Sequence, residues 1–299
     1  MSSAEVAVQV FRKLEIEDLK ILQVIETGMN KHEFVPKGQI SRYAKVPPEK
    51  IDRNMDRIDK LGLIYRMRGA YVGYTLNYAG YDCLAINAFV KAGVLEAFGQ
   101  PIGVGKEADV YDALDPKGVR VAVKFHRLGR ISFRQTRRKR GYIADHAGWL
   151  FQSRSAAEKE FEALKLVHTH GVAVPEPIMQ NRHAIVMGVI EGAELSKWKG
   201  IDDPTAVLKE ILVNVQKAYL EANVVHADLS EYNIILKPDM HVLIIDWPQF
   251  VTLEHPNAME LLTRDVKNIL DFFSRRFKVK VSIEEAVDFI VGKVRTLTF

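Results

Sequence analysis

The stretch His226-Ala227-Asp228-Leu229-Ser230-Glu231-Tyr232-Asn233 constrains this chain more than any other. A histidine, then an aspartate, then an asparagine follow the spacing H-x-D-x-x-x-x-N of a loop that manages phosphoryl transfer. In that chemistry one carboxylate accepts or orients the proton of an attacking hydroxyl, and an amide oxygen helps to hold a metal ion. Asp228 has the first task and Asn233 the second. Thirteen residues after Asn233, Ile244-Ile245-Asp246 ends an apolar strand on a carboxylate. A second ligand is needed there to hold the ion that bridges the β- and γ-phosphates of a nucleotide, so Asp246 joins Asn233 as a metal ligand.

Two earlier segments supply a place for the nucleotide. Gly103-Val104-Gly105-Lys106-Glu107-Ala108-Asp109-Val110 fits G-x-G-x-x-G-x-V with Ala108 at the third glycine. Glycines let a backbone approach phosphates and aim its N–H groups at them. A strand-like Val110-Tyr111-Asp112-Ala113 comes next, whereas a dinucleotide-binding unit would need a helix at that point. Val121-Ala122-Val123-Lys124 then closes an apolar strand on a lysine that can reach the α- and β-phosphates. A single strand-end lysine more often snorkels to water, so the order of the segments carries the assignment. A carboxylate should orient Lys124. A helix over 155–169, started by a capping box of Ser155 and Glu158, offers Glu158, Glu160 and Glu162, of which Glu160 is favoured.

The wider chain is compatible with such an enzyme. Its 299 residues are 47% hydrophobic and 27% charged, enough for two or three globular units. A lone Cys83 excludes an internal disulfide, no Cys/His group has zinc-ligand spacing, and no segment reads as a signal peptide or membrane span. A cytoplasmic protein without a membrane partner is expected. Residues 1–76 contain helices at 16–29 and 49–61, then strands at 63–66 and 71–76 around a turn at 68–70, which is the order of a winged helix. Residues 77–98 read as a connecting helix without a flexible linker, so the first unit should pack on its C-terminal neighbour. The segment 99–187 is rich in strands and 188–299 mainly helical, an α+β plan of two lobes.

The net charge of +4 matters less than its distribution. Arg127, Arg130, Arg134, Arg137, Arg138, Lys139 and Arg140 crowd 127–140 without an acidic residue, a density suited to RNA phosphates. On the winged helix, Lys50, Arg53, Arg57 and Lys60 are joined by Arg66 and Arg68 on the wing. Asp52, Asp56 and Asp59 interleave with them, so a plain solvated face competes with a groove-reading one.

These segments together resemble the RIO atypical protein kinases, and within them the second RIO subfamily. Also carrying the likeness are Lys124-Phe125-His126-Arg127-Leu128-Gly129-Arg130, Val174-Pro175-Glu176-Pro177, Asn181-Arg182-His183-Ala184-Ile185-Val186-Met187 and Ile245-Asp246-Trp247-Pro248-Gln249. The resemblance covers essentially the whole chain and implies a winged helix followed by a two-lobed, protein-kinase-like RIO domain. It implies that Asp228 is catalytic, that Asn233 and Asp246 bind Mg2+ (or Mn2+), and that Lys124 pairs with Glu160. ATP is then held by Gly103, Val104, Gly105, Lys106, Glu107, Ala108, Val110, Ala122 and the hinge Met187, Val189 and Ile190. The family acts in maturation of the small ribosomal subunit, so the resemblance implies the precursor particle and its rRNA as partners, through the 127–140 loop and the winged helix. It further implies ATP hydrolysis through a transient phosphoryl group on Asp246.

Trp247-Pro248 succeeds Asp246 where ordinary protein kinases have Phe-Gly, and no Ala-Pro-Glu segment comes after. A peptide-docking apparatus of the ordinary kind is therefore not expected. Gly188 stands where the subfamily leads one to expect Glu. Two other readings compete: a small-molecule phosphotransferase of the aminoglycoside or choline kinase type, and a DNA-binding regulator with a degenerate kinase domain.

Overall fold

The computed structural model describes residues 2–105, 107–128 and 142–298, with the side chains of 142–147 left aside. The chain forms two compact units, Met1–Glu158 with Ile178–Val186, and Lys159–Pro177 with Met187–Phe299.

The first unit opens with helices α1 (Ser3–Phe11), α2 (Ile16–Gly28), α3 (Lys37–Tyr43) and α4 (Pro48–Lys60). Strands β1 (Val35–Pro36), β2 (Ile64–Arg68) and β3 (Val72–Leu76) form a small antiparallel sheet in the order β1-β3-β2. Local chemistry explains the boundaries. Ser2 and Glu5 make a capping box at the start of α1, and proline occupies the first helical position of α4. Ile51, Met55 and Ile58 lie buried along one face of α4, at helical spacing. This is the expected winged helix; the sequence reading located two of its four helices.

Helix α5 (Tyr78–Lys91) is shorter than the 77–98 expected. Gly93, at a φ of +69°, ends it in a Schellman motif, with Val94 N–H bonded to Phe89 O and Gly93 N–H to Val90 O. The chain is then free to enter β4 (Ala97–Val104). Strands β5 (Ala108–Leu114), β6 (Arg120–His126), β7 (Pro177–Asn181) and β8 (Ala184–Gly188) complete a five-stranded sheet in the order β4-β5-β6-β8-β7. Val121, Val123 and Phe125 of β6 share one continuous core with Phe89 of α5 and with Ala4, Ile25 and Ile58 of the N-terminal helices. The N-terminal domain thus packs on the sheet, as the missing linker implied.

Helix α6 (Tyr142–Thr169) overturns the expected start at Ser155. No proline or glycine interrupts 149–155, and Leu150, Ser153 and Ala157 recur as buried positions one turn apart. Ser155 is interior, and Glu158 bonds Arg154 at 2.8 Å across one turn.

The second unit holds α7 (Pro204–Leu220), α8 (Ala258–Phe277), α9 (Ile283–Ile290) and strands β9 (Ala193–Glu194), β10 (Val224–Val225), β11 (Ile234–Leu236), β12 (Val242–Ile244) and β13 (Val251–Thr252). Strand β11 lies between β12 and β9, and β10 pairs with β13. Leu208 and Ile211 of α7, Leu262, Val266 and Ile269 of α8, and Trp247 form their core. No described helix is long and apolar enough to cross a membrane.

Candidate active site

In the first unit the glycine loop is the turn between β4 and β5. Gly103 pairs with Val110 and Val104 with Asp109, and Gly105 N–H reaches Ala108 O at 2.8 Å to close the turn. A Cβ at Gly105 would meet that same carbonyl at 3.3 Å, a tight approach that glycine avoids. Lys106 lies outside the described residues.

Alternation along β6 sorts its side chains. Val121, Val123 and Phe125 join the core, which puts Ala122 and Lys124 on the other face of the strand. Val110 is directly opposite Lys124 in the register. Lys124, the candidate phosphate-contacting lysine, and Val110 of the glycine loop therefore share one face of one sheet.

The second unit carries the candidate catalytic loop 226–233, the candidate hinge residues Met187, Val189 and Ile190, and Glu160. Met187 is buried, while Gly188 N–H donates to Glu176 O at 2.8 Å. A Cβ at Gly188 would come within 3.3 Å of the Glu176 Cβ, a steric account of the glycine at this departure from the subfamily. Val189 and Ile190 come next, half-buried. Glu160 is buried on α6.

Asp228 is exposed, and the backbone around it is fixed from below by α8. Ala227 N–H and Leu229 N–H both donate to the Asp265 carboxylate, at 2.7 and 3.1 Å. Arg264 bonds the carbonyl of Ala227, and Asn268 bonds that of Leu229 at 3.2 Å. Asp265 was not foreseen from the sequence. Its only signal is a carboxylate between the core positions Leu262 and Val266, a place where acids are rarely left without backbone partners. Burial raises the Asp265 carboxyl to about 7, against the pull of its two amide donors.

Ala227 and Asp246 both adopt left-handed backbone, with φ of +64° and +68°. Each costs about 1 kcal/mol for a residue with a Cβ, and such strain concentrates where a side chain must be aimed. His226 is buried, and its Nε2–H donates to Ile245 O at 3.0 Å. Burial lowers its pKa, so it is neutral and supports the loop without acting as a base. The Trp247 ring, itself buried, lies 4.5 Å from the His226 ring and donates to Ile244 O at 3.2 Å.

Asn233 and Asp246 suit a hard cation. Ile245 N–H bonds Asn233 O at 2.9 Å, which fixes the two ligand-bearing segments together. The Asn233 amide N–H donates to Asp228 O at 2.8 Å, so its side-chain oxygen is the atom that remains to face an ion. Among the described residues no cluster of three metal-ligating side chains occurs. Mg2+ fits two oxygen ligands, because it keeps several waters and takes substrate phosphates as well.

The structure corrects part of the nucleic-acid reading. Arg127, first of the basic run, is buried and bonded to Asp82 and Asp109, so it does not face phosphates. Leu128 is the last described residue before the rest of the run, and 129–140 lies outside the described residues. On α4, Arg57 pairs with Glu15 and the buried Asp18, and Lys50 with Glu17. Arg57 is thereby tied into the fold, while Lys50, Arg53 and Lys60 are the exposed cations of that helix.

Comparison with known proteins agrees across both regions. A RIO domain model matches residues 109–286, and a model of the Rio2 N-terminal region matches residues 11–92. The chain is 42% identical to the RIO-type serine/threonine-protein kinase Rio2 of Methanocaldococcus jannaschii, over 88% of this chain and 99% of that one. It is 37% identical to the serine/threonine-protein kinase rio2 of Schizosaccharomyces pombe, over 94% and 82%. A crystal structure of the Rio2 kinase from Chaetomium thermophilum, in complex with ADP, Mg2+ and phosphoaspartate, superposes with a TM-score of 0.83 at 32% identity, covering 96% of this chain and 93% of that one. The match of the N-terminal region together with the kinase domain is something neither competing reading provides for, and the chain belongs to the Rio2 family of RIO-type serine/threonine kinases.

Proposed function

We propose that this atypical kinase uses ATP and Mg2+ to drive a step in maturation of the small ribosomal subunit, with Asp246 as the transient phosphoryl acceptor. The observation that carries the reading is the strained, left-handed Asp246, fixed through Ile245 to both Asn233 and His226. That a Rio2 relative forms a phosphoaspartate complex with ADP and Mg2+ supports it.

The glycine loop and Lys124 hold the phosphates, and Met187 to Ile190 hold the adenine. Asn233 and Asp246 would hold Mg2+, which would supply neutralisation of the charge on the β- and γ-phosphates. A carboxylate oxygen of Asp246 forms a bond to the γ-phosphorus as the bond to the β-phosphate oxygen breaks, and ADP leaves with that electron pair. Asp228 orients and deprotonates the water that then attacks the acyl phosphate, returning the free carboxylate and inorganic phosphate. The RNA partner would be met by the 129–140 run and by exposed cations of the winged helix, through phosphate contacts that weaken with salt.

Co-sedimentation of the full chain with precursor small-subunit particles tests the reading. Retention with a non-hydrolysable ATP analogue and release with ATP are expected. Binding that ignores the nucleotide, or no binding to the particle, would overturn it.

A further inference from the structure

The segment that closes β6 carries a buried cluster for which the phosphoryl-transfer chemistry has no use. Arg127 Nη2 donates to Asp82 of α5 at 2.9 Å, and its Nε donates to Asp109 of β5 at 3.2 Å. Asp82 also holds His183 Nε2 at 2.6 Å. All four side chains are 0–2% exposed. The Arg127 guanidinium carbon lies 5.1 Å from the centroid of the Tyr78 ring and 5.2 Å from that of the Phe125 ring, within reach of cation–π attraction.

The backbone of Arg127 makes a second connection. Its N–H donates to Glu107 O at 2.6 Å, one residue beyond the last ladder pair, Ala108 with His126. Glu107 and Asp109 flank Ala108, whose carbonyl closes the glycine turn. One residue therefore grips the returning arm of the phosphate loop twice, by its amide at Glu107 and by its guanidinium at Asp109. Its Nη2 is tied to Asp82 of α5, inside the region matched by the Rio2 N-terminal model, and its Nη1 to His126 O at 3.2 Å.

A buried ion group of this kind is weak evidence for stability, since desolvation consumes most of the attraction. What it supplies is a fixed geometry, because an arginine fork held by two carboxylates has one arrangement. We propose that Arg127 is a positioning residue for the phosphate-binding loop, through which helix α5 of the N-terminal domain sets the loop's geometry and hence its grip on the triphosphate. This rests on the assignment of 103–110 to ATP phosphates in the proposed function.

The role separates from general support by ligand. Dissociation constants of ATP with Mg2+, and of adenosine, are measured by calorimetry on the full-length Asp82→Asn variant. The amide keeps the shape of the site but removes the charge that strengthens the Arg127 contact, and its one oxygen can face Arg127 or His183 but not both. Asp109→Asn leaves the contacts of Asp82 in place and gives the same reading should Asp82→Asn fail to fold. ATP is expected to bind about fivefold more weakly, about 1 kcal/mol, with adenosine within about twofold of wild type. Tyr78→Phe, which removes the hydroxyl bonded to Leu128 O and Ser153 but keeps the ring, should leave both constants unchanged. Equal loss of ATP and adenosine, no loss of either, or the same ATP loss in Tyr78→Phe would overturn the role of Arg127. A wild-type chain that binds no ATP would instead overturn the functional reading beneath it.

Discussion

The imidazole of His226 donates to the carbonyl of Ile245, 3.0 Å away, and so joins the residue two before Asp228 to the residue one before Asp246. The segments that carry Asp228 and Asp246, the proposed catalytic and metal-binding carboxylates, are thereby joined by one neutral ring. His226→Phe preserves the packing against Trp247 but not this bond. A hydrogen bond worth about 1 kcal/mol leads to an expected five- to tenfold fall in turnover with nearly unchanged affinity for ATP. Because burial lowers the His226 pKa below 6.5, its contribution to stability is present above that value and is lost as pH falls through it. The variant should therefore lose less stability than wild type between pH 7 and 5, as read by denaturant titration.

Asp265 gives the opposite sign. Its folded-state carboxyl is raised to about 7 from an ordinary 3.8, so its favourable contribution is full below pH 3.8 and disappears as pH rises through 7. Asp265→Asn has no such ionisation, and the stability difference between wild type and variant should shift against wild type from pH 5 to pH 8. The single amide oxygen cannot serve the N–H groups of Ala227 and Leu229 as two oxygens do. At least a tenfold loss of turnover is expected at pH 7, from a misplaced Asp228.

Trp247 occupies the place of a mobile phenylalanine-glycine pair yet is 1% exposed in the second unit's core. Trp247→Ala should cost about 3–5 kcal/mol in unfolding free energy, mostly as cavity. A cost under about 1 kcal/mol in chemical denaturation would mean that the ring is not part of the core.

Whether a residue was legible in the sequence depended on where its partners lie. Asp228, Asn233, Asp246 and Lys124 could be proposed because phosphoryl transfer demands those atoms at fixed spacings along local segments. Asp265 could not, because it meets Ala227 and Leu229 from 38 and 36 residues away. Arg127 was misread for a related reason. Charge density along a segment says nothing of Asp82 and Asp109, which only the sheet and α5 bring to it. Ser155 showed that a capping pattern needs a chain break before it, and α6 has none.

On the winged helix, Arg57 and Arg53 lie on the same helix with different tasks. Arg57→Ala removes a partner of the buried Asp18 and should destabilise the first unit by about 3 kcal/mol, whereas the exposed Arg53→Ala should leave stability within about 0.5 kcal/mol. Loss of RNA binding in Arg53→Ala, measured at several salt concentrations with a shallower salt slope, would then report a phosphate contact and not misfolding.

The chemistry proposed for Asp246 leaves a direct signature. Wild-type chain incubated with γ-labelled ATP and Mg2+ should acquire a label that hydroxylamine removes, since an acyl phosphate yields to that nucleophile while phosphoserine and phosphothreonine do not. Asp246→Asn should acquire none. A hydroxylamine-sensitive label that persists in Asp246→Asn, or a wild-type label that resists hydroxylamine, would contradict the account.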